Sequence, residues 1–248
     1  SGVLNDAPVS ATGDVGGGAD QISCRDCLVH AGDNRLTVDG EFGLDGDVLT
    51  FAIDAPALGT LWPGIGGWLK GEGALSGSSS RPVFTGELLG RELRFAQWSA
   101  TEITIDSRSS TIRDLDLSVS VVSLASGETD LGSFTTSGTG SPESLQVDLD
   151  WAFRGLNVGV EGSVTRTADL FEGSVTTASI SEPNTGLWSL DKALQFRMVG
   201  NDLTVDQHAW VSEFGALQVS GISVTEDETA FSANLDNFPL RFANSFLP

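Results

Sequence analysis

At 248 residues the chain is long enough to bury a substantial core, in one large all-β domain or two smaller ones. Thirteen Lys and Arg against 34 Asp and Glu give a formal charge of −21, spread along the chain, which repels nucleic acid and anionic membrane surfaces and leaves lipid contact to apolar groups. Two cysteines do not make a disulfide framework, no run of about 18 apolar residues can span a membrane as a helix, and the absence of tyrosine argues against the aromatic girdles of an outer-membrane barrel.

Residues 1 to 34 begin rich in Gly, Ala, Ser and Asp, carry Gly16-Gly17-Gly18, and read as a flexible or edge segment. Within them Cys24-Arg25-Asp26-Cys27 has the spacing of a redox pair, with His30 as a third possible ligand. A thioredoxin-type site needs the first Cys at a helix N-terminus, and structural zinc needs four ligands. Neither context is present, so Cys24 and Cys27 read as a disulfide candidate and no metal or cofactor is expected.

From residue 35 to 248 the pattern is that of one all-β domain. Short alternating runs recur at Leu36-Val38, Val48 to Ile53, Ile103-Ile105, Leu115 to Val121, Val147 to Trp151, Leu156 to Val160 and Leu217-Val219, separated by Gly, Asp, Asn and Ser clusters. "LQFRMVGNDLTVD", Leu194 to Asp206, reads as a β-hairpin, with Leu194, Phe196 and Met198 on one parity and Gly200-Asn201 as the turn. Periodicity alone leaves open whether such a face closes a core or lines a ligand path.

Two stretches break the β pattern. "DAPALGTLWPGIGG" from Asp54 and "NFPLRFANSFLP" from Asn237 each begin with a capping residue two before a Pro, and each reads as a short helix at the sheet end. Their likeness suggests an internal repeat whose second copy starts near residue 237, making this a fragment of a longer repetitive chain.

The run "LGTLWPGIGGWLKGEGALSGSSSRPVFTGELL", the later "GLWSLDKALQF" and the closing "NFPLRFANSFLP" resemble the C-terminal periplasmic region of the TamB family of translocation and assembly module proteins, over roughly residues 36 to 248. The resemblance implies a β-taco: an elongated curved sheet folded into a U-shaped trough with an apolar interior. It further implies a periplasmic location, an inner-membrane anchor on the full-length protein, and the outer-membrane barrel TamA as partner. The implied function is a bridge-like conduit for phospholipid, or alternatively an assembly factor for outer-membrane proteins acting by strand augmentation. One departure is that "DQHAWVSEFGAL" lacks the cysteines often found there in the family, so no family disulfide carries over to residues 207 to 217.

On this reading the chain is not an enzyme, and phospholipid acyl chains would lie along the apolar parity of the strands. The expected lining is Leu115, Leu117, Val119 and Val121; Val147, Leu149 and Trp151; Leu156, Val158 and Val160; and Leu194, Phe196 and Met198. Paired acids at Asp45 and Asp47, Asp114 and Asp116, and Asp148 and Asp150 raise glycoside hydrolysis as a competitor. The second and third pairs alternate with Leu115, Leu117, Leu149 and Trp151, which puts them on the solvated face. No Gly-x-Ser-x-Gly elbow or phosphate-binding loop occurs, and His208 with Asp206 has no marked nucleophile.

Overall fold

The computed structural model describes residues 2–5, 7–18, 20–109, 111, 114–141, 143–226 and 228–236. They form 19 strands in one sheet whose strand pairs are antiparallel, wound mainly as a meander. Two compact units divide the chain at Thr135 and Thr136.

The first unit contains β1 (Gly2–Leu4), β2 (Ala7–Gly17), β3 (Ile22–Ala31), β4 (Asn34–Phe42), β5 (Val48–Ala55), β6 (Ile65–Ser78), β7 (Arg81–Phe95), β8 (Trp98–Ser107) and β9 (Leu115–Ser126). The division falls within β10 (Thr129–Ser141). The second unit continues with β11 (Ser144–Phe153), β12 (Leu156–Thr167), β13 (Leu170–Glu182), β14 (Gly186–Leu190), β15 (Leu194–Val199), β16 (Asp202–Val205), β17 (His208–Ser212), β18 (Gly215–Val224) and β19 (Thr229–Asp236). Along β13, the short strands β14 and β15 lie end to end, interrupted at residues 191–193. The next row is β16 and β17, interrupted at 206–207.

The expected boundary between residues 34 and 35 does not divide the chain, because β3 pairs with β4 straight across it, from Ala31 opposite Asn34 to Ile22 opposite Phe42. The Gly-rich β2 is a strand although it has no period, since almost every side chain along it is exposed and no face had to be apolar. Asp54 is likewise not a helix cap. It pairs with Arg35 and Lys70 inside the sheet, and the helical element is a single 3₁₀ turn, Leu58–Thr60. The segment from Asn237 lies outside the described residues.

That turn is held by the buried Asn34. Its amide donates to the carbonyls of Ala31 and Ala57 and to Thr60 Oγ1 at 2.9, 3.0 and 2.8 Å, and its carbonyl accepts the Ala57 N–H at 3.0 Å. Removing this side chain leaves the partly buried Ala57 N–H without its acceptor and unties β4 from the turn, although the Ala57 carbonyl keeps the Thr60 N–H and Oγ1 as donors. Asn34→Ala is expected to destabilise the first unit by about 2–3 kcal/mol in denaturant titration. A change under half of that would mean water replaces the amide.

The sulfurs of Cys24 and Cys27 are bonded, with Cα atoms 5.8 Å apart. The two residues have opposite parity in sequence, yet they face the same way because β3 shifts register between them, opposite Gly40 and Val38. Asp26 takes the extra place with φ of 50° and donates its N–H to Asp39 Oδ1 at 3.0 Å. The closed loop is so short that chain entropy gives the bond no more than about 2 kcal/mol. Replacing both cysteines by Ala should lower the thermal midpoint of the first unit by only a few degrees, and collapse of the unit would show that the bond holds the sheet register.

Candidate functional site

Antiparallel partners project to the same face, so the registers sort side chains into two faces within each unit. In the first unit one row runs Leu36, Ile53, Gly71, Leu88, Ile105 and Val119 across β4 to β9. A neighbouring row includes Ala55, Leu69, Gly90, Ile103 and Val121. The opposite face carries Thr37, Ala52, Glu72, Glu87, Asp106 and Ser118. One face is therefore apolar and the other charged, strand after strand.

The apolar face is half-covered. Along β5 exposed Val48, Thr50, Ala52 and Asp54 alternate with half-buried Leu49, Phe51 and Ile53, and only Ala55 at the end is buried. Among the described residues, no large side chain is less than 2 % exposed, and the buried apolar residues are mostly small or β-branched, such as Ala31, Ala100, Val83 and Val121. In a closed sandwich, facing side chains would interdigitate and the large ones would disappear from the surface. Here they pack sideways. Phe51 and Phe84 stack at 6.0 Å between centroids, and the Phe84 ring covers the place where Gly73 has no side chain.

The second unit repeats the arrangement. Val147, Gly162, Val175 and Leu194 form one row, Leu149, Val160 and Ala178 a second, and Trp151, Val158, Ile180 and Trp188 a third. Val175 and Ala178 share this face despite opposite parity because β13 carries an extra residue, Thr176, in the register shift opposite Glu161 and Gly162. The hairpin of β15 and β16 extends the face, with Phe196 opposite Val205 and Met198 opposite Leu203, and Ile222 and Val224 follow on β18. The Phe196 ring lies over Gly173, so close that a Cβ there would sit 2.4 Å from its Cζ.

The expected lining residues are divided between the two units. Leu115, Leu117, Val119 and Val121 lie in the first unit on β9, where Val121 is buried and Leu117 is 40 % exposed. Val147, Leu149, Trp151, Leu156, Val158, Val160, Leu194, Phe196 and Met198 are all half-buried and share the apolar face of the second unit. Sequence reading missed Leu69, Leu75, Phe84 and Leu88. Their strands place Gly71, Gly73, Gly86 and Gly90 at apolar-face positions, which hides the alternation although the large neighbours fill those gaps.

Asp148 and Asp150 project from the opposite face with Glu161, around an open depression of about 370 Å³. Depressions of about 870 and 930 Å³ on the charged face of the first unit are lined by Arg35, Asp39, Lys70, Glu72, Glu87 and Asp106. Among the described residues, no group of three or more His, Cys, Asp and Glu is placed to hold a metal ion. His208 Nδ1 meets the backbone carbonyl of Asp206 at 2.8 Å, so its partner is main chain and not the carboxylate. No described helix is long and apolar enough to cross a membrane.

Compared with known families, residues 1–248 match the model described as "TamB, N-terminal domain". No solved structure matches the chain. The match corrects the placement suggested by the Gly, Pro and Trp motifs, which pointed to the family's C-terminal region; such motifs mark the strand turns of a repetitive sheet and do not fix a position along it.

Proposed function

The chain belongs to the TamB family, and from that premise we propose that it is a non-enzymatic segment of a periplasmic lipid conduit, anchored through the full-length protein and working with an outer-membrane barrel of the TamA type. Acyl chains lie on the apolar faces of the sheet while headgroups stay in water. The observation that carries this reading is the half-buried apolar face, in which, among the described residues, no large side chain is less than 2 % exposed. Each methylene withdrawn from water stabilises a bound chain by about 0.8 kcal/mol. A lining without charges offers no deep local minimum, so bound chains can slide along it.

The charged face has the complementary role. With a net charge of −21, it keeps so much apolar surface soluble and discourages copies from stacking. Native mass spectrometry of the chain purified from its own envelope tests the proposal. Phospholipid masses retained at low activation energy are the expected result. A lipid-free species of compact charge-state distribution would instead favour a closed structural module.

A further inference from the structure

At one strand end of the first unit the general charge pattern is reversed. Arg91 and Arg94 are the closest pair of basic residues in the sequence, and both line an open depression of about 730 Å³ with Gly64, Gly66 and Gly67. The one carboxylate in its lining is Glu92. Arg91 is engaged, with Nε 3.0 Å from Glu102 Oε2 and its guanidinium 5.7 Å from the centre of the Trp68 ring. Arg94 carries no carboxylate partner among the described residues. Its Nε lies across Gly66, 3.2 Å from where a Cβ would stand, so the missing side chain leaves room for the guanidinium. Gly64 and Gly67 hold φ of 91° and 102°, and a side chain at either would be strained.

The same strand ends carry the most exposed aromatic residues of the unit. Trp62 is 65 % exposed, Phe95 64 % and Trp98 44 %. Register ties them to the depression. Ile65 pairs with Phe95, Gly66 with Arg94, and Phe95 with Trp98, while the Ile65 N–H donates to the Trp62 carbonyl at 3.2 Å. Between Arg91 and Arg94 the register shifts, with Glu92 at φ of 50° as the extra residue of β7, so the parity reverses: Arg94 falls on the charged side of the sheet with Arg91, and Phe95 on the other. A free cation thus stands on one side of a lip and exposed rings on the other, a pairing suited to an amphiphile with an anionic group close to its apolar part.

We infer that this lip binds the phosphodiester of a phospholipid through Arg94, while the acyl chains cross Phe95, Trp98 and Ile65 onto the apolar face. The inference rests on the acyl-chain reading and adds to it a defined headgroup position. A guanidinium suits the task because it offers paired donors to phosphate oxygens.

The test compares three probes, each kept monomeric in solution: dioctanoylphosphatidylethanolamine, dioctanoylglycerol with the same tails and no phosphate, and tail-less glycerophosphoethanolamine. Binding is followed by calorimetry on the whole chain. The phospholipid is expected to bind about tenfold more tightly than dioctanoylglycerol, the scale of one charge-assisted hydrogen bond. Arg94→Gln should remove that preference and leave dioctanoylglycerol binding as it was. Arg81→Gln, on an exposed residue at the other end of β7, should keep the preference. Equal wild-type affinity for both lipids, or equal weakening of both by Arg94→Gln, overturns the headgroup site alone. Tight binding of glycerophosphoethanolamine would make it a site for a soluble phosphate, which also overturns the assignment. Binding of neither lipid overturns the acyl-chain reading together with it.

Discussion

Phe196→Arg is expected to yield a folded protein that has lost its lipid, whereas Gln195→Arg keeps both fold and lipid. The two residues are neighbours on β15, but Phe196 is half-buried on the apolar face and Gln195 is exposed on the other. A guanidinium at 196 lies in the path of acyl chains, which must desolvate it or leave a water-filled gap, at a cost of several kcal/mol. Since about 1.4 kcal/mol is a factor of ten, retained lipid should fall by at least that factor. The fold tolerates the change because Phe196 is only half-buried and the long side chain can reach water. Loss of the ring from Gly173 costs about 1–3 kcal/mol at a partly covered site. Unfolding of the second unit by Phe196→Arg would mean that the face is a closed core. Folded protein with lipid retained would remove β15 from the path.

Gly173→Val has the larger expected effect on stability. A Cβ at 173 would stand 2.4 Å from the Phe196 ring and 2.4 Å from the backbone carbonyl oxygen of Ser163. The ring can swing away, but the carbonyl belongs to the adjoining strand β12, so relief requires separating β12 from β13. Strand pairing is then lost on top of the overpacking, and a drop of about 3 kcal/mol or more in the second unit follows. Gly200→Ala, at the tip of the β15–β16 hairpin with φ of 59° and open space around it, should cost only about 1 kcal/mol. Hydrogen exchange resolved along the chain distinguishes the two variants. Equal protection of β12 and β13 in both would show that the ring and glycine do not meet as described.

The strands that declared themselves in sequence are those with apolar residues at every second position, such as Val147, Leu149 and Trp151 on β11 or Leu194, Phe196 and Met198 on β15. Alternation there follows directly from a sheet with one face apolar and one in water. Three features escaped it for physical reasons. Glycines at apolar-face positions in β6 and β7 broke the pattern while making room for Phe84, Leu88 and Leu93. Extra residues at Asp26 and Thr176 reversed the parity partway along β3 and β13, so Cys24 with Cys27 and Val175 with Ala178 share faces that counting by two denies them. Nothing in the local pattern marks the division at Thr135 and Thr136, because it falls inside one continuous strand. The Arg94 lip was also unreadable, since its parts meet only through the β6–β7 and β7–β8 registers.

Acyl chains on a one-sided apolar sheet are expected to touch one face of these strands and never the other. Placing a photoreactive benzophenone side chain at successive positions of β11 and β15 in the intact envelope, then extracting the protein and weighing it, reads that contact residue by residue. The predicted result is a lipid adduct at Leu149, Trp151, Leu194, Phe196 and Met198, and none at Asp148, Asp150, Gln195 or Arg197. Adducts that ignore this alternation, or their absence from every position, would contradict it.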